Sequence, residues 1–249
     1  IEQTMLKKLF IFLFLILISI YLVIAVTVFN GKPNDTVCSG MELIINDSID
    51  YGFISKREVI RLLSNKKLSP IGKNLSEINI RALEDELKQH PLISNAECYH
   101  TPDNLIGIEI TQRIPILRIM ASNGEQYYID DKAHTMPIPN SAANVAIVTG
   151  FVDKAFATKE LYDFGMFLQQ HPLWKAQIQQ INVTSAKELE LVPQVGDHII
   201  FLGKAGNYEN KFERLKTFYK KGLNEIGWNK YSRISLEFDN QIICTKKEK

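Results

Sequence analysis

The sequence predicts an α+β protein: a single N-terminal transmembrane helix, a small β-α-α-β-β domain, then a mostly antiparallel β-domain carrying two helices. Three observations predict it. Leu9 to Phe29 is an almost unbroken run of Leu, Ile, Phe and Val. His90 to Pro115 reads as a helix stop followed by strand, turn and strand. From Ile116 onward, short segments of period two recur, interrupted by two stretches of helical period.

At 1.5 Å per residue the apolar run covers about 30 Å, the thickness of a bilayer's hydrocarbon core. A cleaved signal peptide has an apolar core of about 7 to 15 residues and a small-residue exit, so the run reads as a retained anchor. Lys7 and Lys8 precede Leu9, whereas Lys32 is balanced by Asp35 just after the run. The positive-inside rule therefore leaves residues 1–8 as a cytoplasmic tail and places everything after Asn30 outside. Lys7, Lys8, Leu9 and Phe29 bound this anchor. Ile1-Glu2-Gln3-Thr4 ahead of Met5 carry no assigned function, and residues 30–39 read as a linker. Cys38 follows Asp35-Thr36-Val37, which is not the small apolar run of a lipidation site.

The small domain, residues 40–114, opens with a strand at Met41–Ile45. Ser55-Lys56-Arg57-Glu58 is a capping box, hydroxyl at the N-cap and carboxylate three residues on, for a helix reaching Ser64. Asn79 caps a second helix with Ile80, Leu83 and Leu87 on one face. Pro91 stops it at Gln89-His90. Strands at Ala96–Tyr99 and Ile106–Thr111 flank a Thr101-Pro102-Asp103-Asn104 turn. Ile108 faces the core and Glu109 the solvent.

In residues 115–245, strands at Ile116–Met120 and Gln126–Asp130 flank Asn123-Gly124, the dipeptide of a type I′ hairpin with positive φ at both central residues. Further strands are expected at Val145–Thr149, Ile178–Thr184, Glu188–Val192, His198–Leu202 and Arg233–Phe238. One helix is marked by Leu161, Phe164 and Leu168, another by Phe212, Leu215, Phe218 and Leu223. Leu168-Gln169-Gln170-His171-Pro172-Leu173 echoes Leu87 to Leu92, and predicts a second helix stopped by proline before a strand. Residues 246–249 form a charged tail.

Chemistry finds little support. The net charge is +1 and no basic run extends beyond Lys246-Lys247, so nothing marks a nucleic-acid binder. Cys38, Cys98 and Cys244 are too few and scattered for a disulfide framework. Gly203-Lys204-Ala205-Gly206 lacks the spacing of a phosphate loop. Cys98-Tyr99-His100 offers two potential ligands on one strand face without a second pair, and reads as a core cysteine and an edge histidine. His90 and His171 sit at helix C-termini, where a cation complements the dipole. No nucleophile elbow or paired-carboxylate motif stands out. The reading is no catalytic, cofactor or metal site. Asn34, Asn46, Asn74 and Asn182 begin Asn-x-Ser/Thr triplets, which matter only in a eukaryotic secretory host.

In order, His90-Pro91-Leu92-Ile93, Pro102-Asp103-Asn104-Leu105 and Gln112-Arg113-Ile114-Pro115, below an N-terminal anchor, resemble the FtsQ/DivIB bacterial cell-division proteins, and the small domain resembles their POTRA domain. Tyr127-Tyr128-Ile129-Asp130, Leu202-Gly203, Lys211-Phe212-Glu213-Arg214-Leu215 and Ile234 to Gln241 are similar to stretches of the family's β-domain. Two departures stand out. The family's Leu-Arg-Tyr is Leu236-Glu237-Phe238, and the glycine after the Tyr-x-x-Asp strand is replaced within Asp131-Lys132-Ala133-His134, which suggests a different turn.

The resemblance implies a non-enzymatic divisome scaffold of the bacterial inner membrane. It would be single-pass and type II, with its bulk periplasmic and enriched at the septum. It would hold the coiled-coil proteins FtsB and FtsL and so reach the septal peptidoglycan synthase pair FtsW and FtsI. A POTRA-bearing accessory of envelope protein export and an exported hydrolase are the alternatives. An exposed last strand suits partner addition, which places the partner-binding residues at Tyr231, Arg233, Ser235, Glu237, Phe238, Asn240, Gln241 and Ile242. Ile234, Leu236 and Phe238 are expected to face the core, leaving that strand's own edge free as far as Ile242.

Overall fold

The structure, a computed structural model, describes residues 2–29, 36–46 and 52–248, with side chains described over 12–26 of the first segment. Helix α1 is Glu2–Phe29. Its large apolar side chains from Phe12 to Val26 are exposed. Among the described residues no helix is long and apolar enough to cross a membrane. The side chains of Lys7, Lys8, Leu9 and Phe29, together with Lys32, Asn34 and Asp35, lie outside the described residues.

The first sheet is built from β1 (Gly40–Asn46), β2 (Ile93–His100) and β3 (Leu105–Gln112) in the order β1-β3-β2, with β1 parallel and β2 antiparallel to β3. Helices α2 (Lys56–Asn65) and α3 (Ile80–Lys88) cover one face. Local chemistry starts both helices. Glu58 accepts from the Ser55 amide at 2.7 Å while Ser55 Oγ accepts from the Glu58 amide at 3.3 Å, and Asn79 Oδ1 accepts from the Ala82 amide at 3.0 Å. Val59, Leu63, Leu83 and Leu87 then bury against Ile106, Ile108 and Ile110. Ile108 is fully buried, whereas Glu109 faces out and accepts from the Tyr99 hydroxyl at 2.9 Å. Cys38, expected in a linker, is instead part of this core, its amide bonded to Lys73 O at 2.8 Å.

The second sheet has nine strands: β4 (Pro115–Ala121), β5 (Gln126–Asp130), β6 (Thr135–Met136), β7 (Ala146–Gly150), β8 (Ile178–Val183), β9 (Glu188–Pro193), β10 (Ile199–Lys204), β11 (Tyr231–Ser235) and β12 (Ile243–Lys246). Their order is β12-β11-β10-β9-β8-β7-β4-β5-β6. The pairs β4–β7, β7–β8 and β10–β11 are parallel and the others antiparallel, so the sheet is mixed. Between β7 and β8, α4 (Lys154–Phe156) runs through a π turn at Ala157–Leu161 into α5 (Tyr162–Gln170), followed by α6 (Pro172–Gln177). Between β10 and β11, α7 (Tyr208–Phe218) runs through a second π turn at Tyr219–Leu223 into α8 (Asn224–Ile226). Leu161, Phe164, Leu168, Phe212, Leu215 and Leu223 bury against Leu117, Ile181, Leu191, Ile200 and Ile234, while Phe218 is only partly covered.

Several expectations change. The 121–125 hairpin is not type I′: only Gly124 has positive φ, at 88°, and Ala121 N donates to Glu125 O at 3.0 Å. That is a three-residue loop ending in a left-handed glycine, stabilised by Asn123 Oδ1 accepting from the Glu125 amide. Pro172 does not introduce a strand. It occupies the first turn of α6, where its missing N–H is harmless. His90 is not a capping cation. Burial lowers its pKa, and its neutral Nδ1 accepts from the Leu92 amide at 3.4 Å. The last expected strand ends at Ser235 rather than Phe238.

The turn after β5 keeps a left-handed residue without glycine, for Ala133 adopts φ 61° and donates to Asp130 O at 3.2 Å. An L side chain there costs about 1–2 kcal/mol, partly offset because glycine loses more backbone freedom on folding. Ala133→Gly is expected to raise stability by about 0.5–1 kcal/mol in urea unfolding; a loss would show that the methyl is well packed.

The two sheets meet directly, since only Arg113 and Ile114 separate β3 from β4. Phe53 and Leu92 from one side bury with Tyr128 and Met136 from the other. Gln112, almost wholly buried, accepts the Phe53 and Ile54 amides at 2.8 and 3.1 Å. Arg113 Nη1 donates to Asp130 Oδ2 at 2.6 Å, and Asp130 Oδ1 accepts the Lys132 and His134 amides. Two of the sequence motifs, Gln112-Arg113-Ile114-Pro115 and Tyr127 to Asp130, thus form one buried joint.

Candidate partner-binding edge

The terminal hairpin differs from the expected single last strand. β11 is covered on both sides, by β10 and by β12, so its own edge is not free. β12 turns back antiparallel, pairing Ile243 with Ser235, Cys244 with Ile234 and Thr245 with Arg233, and is itself the open edge. Which of its amides point outward follows from parity. Leu236 N donates to Phe201 O at 2.8 Å and Lys247 N to Lys230 O at 3.2 Å. Alternation along antiparallel strands then turns the Ile243 and Thr245 amides toward β11 and those of Cys244 and Lys246 toward solvent.

The expected partner-binding residues are split by this arrangement. Tyr231, Arg233 and Ser235 lie within β11, half-buried. Arg233 Nη1 donates to Glu190 Oε1 at 2.9 Å, and its guanidinium stacks 4.2 Å from the Phe201 ring centroid. Glu237, Phe238, Asn240 and Gln241 are exposed in the connection to β12, with Ile242 partly buried at its end. Phe238 was expected in the core beside Ile234 and Leu236; those two are fully buried, whereas Phe238 is 50% exposed. Asn240, Gln241 and Ile242 line one wall of an open groove of ≈ 1070 Å³ whose other wall is α7 and the π turn after it, through Asn210, Arg214 and Lys221. Sequence reasoning missed β12 itself, including the exposed Ile243.

Beneath the far end of β12 lies His198, buried, with Nε2 2.9 Å from the Tyr219 hydroxyl and Trp228 against its ring. Burial lowers its pKa, with Asp197 opposing and Lys247 adding to the shift. The unfolded imidazole titrates near 6.5, so the unfolded chain takes up the proton first. This contribution to stability is complete above about pH 6.5 and is lost as pH falls through the lower folded value. His90, also lowered by burial, adds the same sign. Urea midpoints measured from pH 7.5 to 5 are expected to fall, and to fall less in His198→Phe; identical slopes would remove His198 from the account.

The other candidates lie apart from one another. Lys204 pairs with Glu188 at the end of β10, and Gly203 (φ 72°) sits against Glu237. Burial pushes the Cys98 thiol up to about 12, and His100 is exposed. His171 Nδ1 bonds Phe167 O at 2.8 Å. Among the described residues no group of three or more His, Cys, Asp or Glu could hold a metal.

A β-α-α-β-β module joined to a helix-backed mixed sheet defines a two-module protein of the POTRA plus β-domain class. The POTRA-like domain description matches residues 36–111. The description "FtsQ/DivIB, C-terminal related" matches residues 114–245, more than half of the chain, and the chain belongs to the FtsQ/DivIB family. It is similar to the cell division protein FtsQ of Myxococcus fulvus, 27% identical over 65% of this chain and 58% of that protein. It is also similar to the cell division protein FtsQ of Salinibacter ruber, 24% identical over 72% and 74%. The chain therefore spans under two thirds of the Myxococcus protein's length. Membership makes it a non-enzymatic member of a family of division proteins.

Proposed function

We propose that the protein is a scaffold of the divisome, anchored in the inner membrane by residues 9–29, with residues 1–8 cytoplasmic and both sheets in the periplasm at the septum. Its β11–β12 end holds FtsB-like and FtsL-like partners and through them acts on FtsW and FtsI. The apolar run from Leu9 to Phe29 in the sequence, about 30 Å at 1.5 Å per residue, and its Lys7-Lys8 flank support the anchor.

The observation that carries the partner reading is the open β12 edge. Its outward N–H and C=O groups are a template for an added strand, which takes affinity from backbone bonds and specificity from alternate side chains. Ile243 and Phe238, both exposed, supply apolar contacts beside it.

The test uses proline. At Lys246, whose side chain is exposed and whose amide points outward, it removes a donor that the fold does not use. Lys246→Pro is expected to leave the melting temperature within about 2 °C and to weaken co-purification of FtsB-like and FtsL-like chains at least about tenfold. Thr245→Pro, which breaks a bond to β11, should also loosen the hairpin. Unchanged capture by Lys246→Pro would move the interface away from this edge.

A further inference from the structure

The edge strand is attached to the rest of the sheet only through β11, and β11 meets β10 through just three parallel register pairs, Ile199–Arg233 to Phe201–Ser235. Ile234 and Leu236 fix one side of this attachment in the core, and Lys247, paired with Asp197, fixes the far end of β12. Neither sets the course of residues 236–242, which leave β11 and return as β12.

One side chain makes three hydrogen bonds to that stretch. Arg214, on α7, donates through Nη1 to Phe238 O at 2.6 Å and Gln241 O at 3.0 Å, and through Nη2 to Leu236 O at 3.4 Å. Among the described residues, the connection's other hydrogen bonds are Leu236 N on Phe201 O, Glu237 N on Ser235 Oγ at 3.4 Å and Asn207 Nδ2 on Asp239 Oδ1 at 3.1 Å, while Leu236 and Ile242 pack at its two ends against the core. A planar fork spreads its donors over separate nitrogens and so reaches three separated carbonyls, whereas a lysine must gather its acceptors around a single nitrogen. On the opposite face Arg233 crosses β10 over Phe201 to reach Glu190 on β9, which also accepts from Asn182 of β8 at 3.0 Å. The hairpin is held from both faces, by Arg214 through backbone carbonyls and by Arg233 through a polar ladder.

We propose that Arg214 and Arg233 are positioning residues that pre-order the β11–β12 hairpin, so that a partner meets a finished edge and does not have to order one. The inference rests on the edge reading above. Pre-ordering removes from binding the cost of fixing a loose segment.

Amide hydrogen exchange on the full chain in detergent tests this without a partner. In Arg214→Ala the Ile243 and Thr245 amides should exchange about tenfold faster or more, the scale expected for losing charge-assisted hydrogen bonds, while β8 and β9 amides keep their rates. Arg214→Lys should fall between, and Arg233→Met should raise the same hairpin amides. In parallel, co-purification of FtsB-like chains should drop in the order that exchange rises. Unchanged hairpin exchange overturns the proposal, as does acceleration spread equally over β8 and β9, or full capture despite a loosened hairpin. Failure of the edge reading shows separately, as capture that survives Lys246→Pro.

Discussion

Ile108→Asp is expected to unfold the three-stranded module. Ile108 is fully buried at the centre of β3, paired with Leu43 on β1 and Cys98 on β2. The substitution removes a core side chain and places a carboxylate with no partner in its stead, at a cost of at least about 4 kcal/mol. Small domains hold roughly 5–15 kcal/mol in all. Both tryptophans, Trp174 and Trp228, lie in the second unit, so their fluorescence reports on that unit alone. In urea, far-UV circular dichroism should fall well before tryptophan emission shifts. Glu109→Ala, which loses one exposed bond to Tyr99, should change stability by less than about 1 kcal/mol. The reverse ranking would mean that β3 is slipped by one residue.

Asp130→Ala is expected to cost about 3–5 kcal/mol and to loosen the joint between the sheets. The carboxylate is fully buried and serves Arg113 and the Lys132 and His134 amides, so its loss strands a cation and two donors. A buried ion pair is weak evidence of net stabilisation, because desolvation opposes the attraction. The damage comes from removing one partner, and Arg113→Met with Asp130→Leu should therefore cost less than the sum of the two single changes. Urea unfolding measures the first effect. Small-angle scattering measures the second, as a broader distribution of distances between the two units. A change under 1 kcal/mol with an unaltered scattering profile would show that the apolar contacts of Phe53, Leu92, Tyr128 and Met136 hold the joint alone.

What could be read from the sequence was whatever local chemistry decides. The Ser55–Glu58 box, the Asn79 cap and the β3 alternation each name their own structure within a few residues, and the first module came out element by element. Ambiguity entered where one residue serves two geometries. Asn123-Gly124 suits a two-residue loop and a three-residue loop alike, and the sheet chose the longer. Pro172 can end one helix or begin the next, and the buried Trp174 favours beginning. Ala133 hides a left-handed turn because nothing in an alanine announces positive φ. The candidate site was legible as a region but not as an edge. Ile243-Cys244-Thr245-Lys246 is short, largely exposed, and follows the polar run Asp239-Asn240-Gln241, so no period-two signal marks a strand. It pairs with β11, and its connection is held by Arg214, some thirty residues earlier in the chain; contacts at that separation leave no trace in a local pattern.

The parallel pairing of β10 with β11 also fixes when the edge can exist. Parallel neighbours cannot be joined by a tight turn, and here the excursion through α7 and α8 occupies the whole stretch from Lys204 to Tyr231. β11 has no place to dock until that helical layer has closed over the sheet, and β12 has none until β11 is in position. Pairings that wait on so long a loop are slow. In a chain delivered from its N-terminus, the β12 edge is the last part of the sheet to mature. A molecule halted before Tyr231 would carry the joint, the POTRA-like module and most of the sheet, yet present the side of β10 in place of the β12 edge.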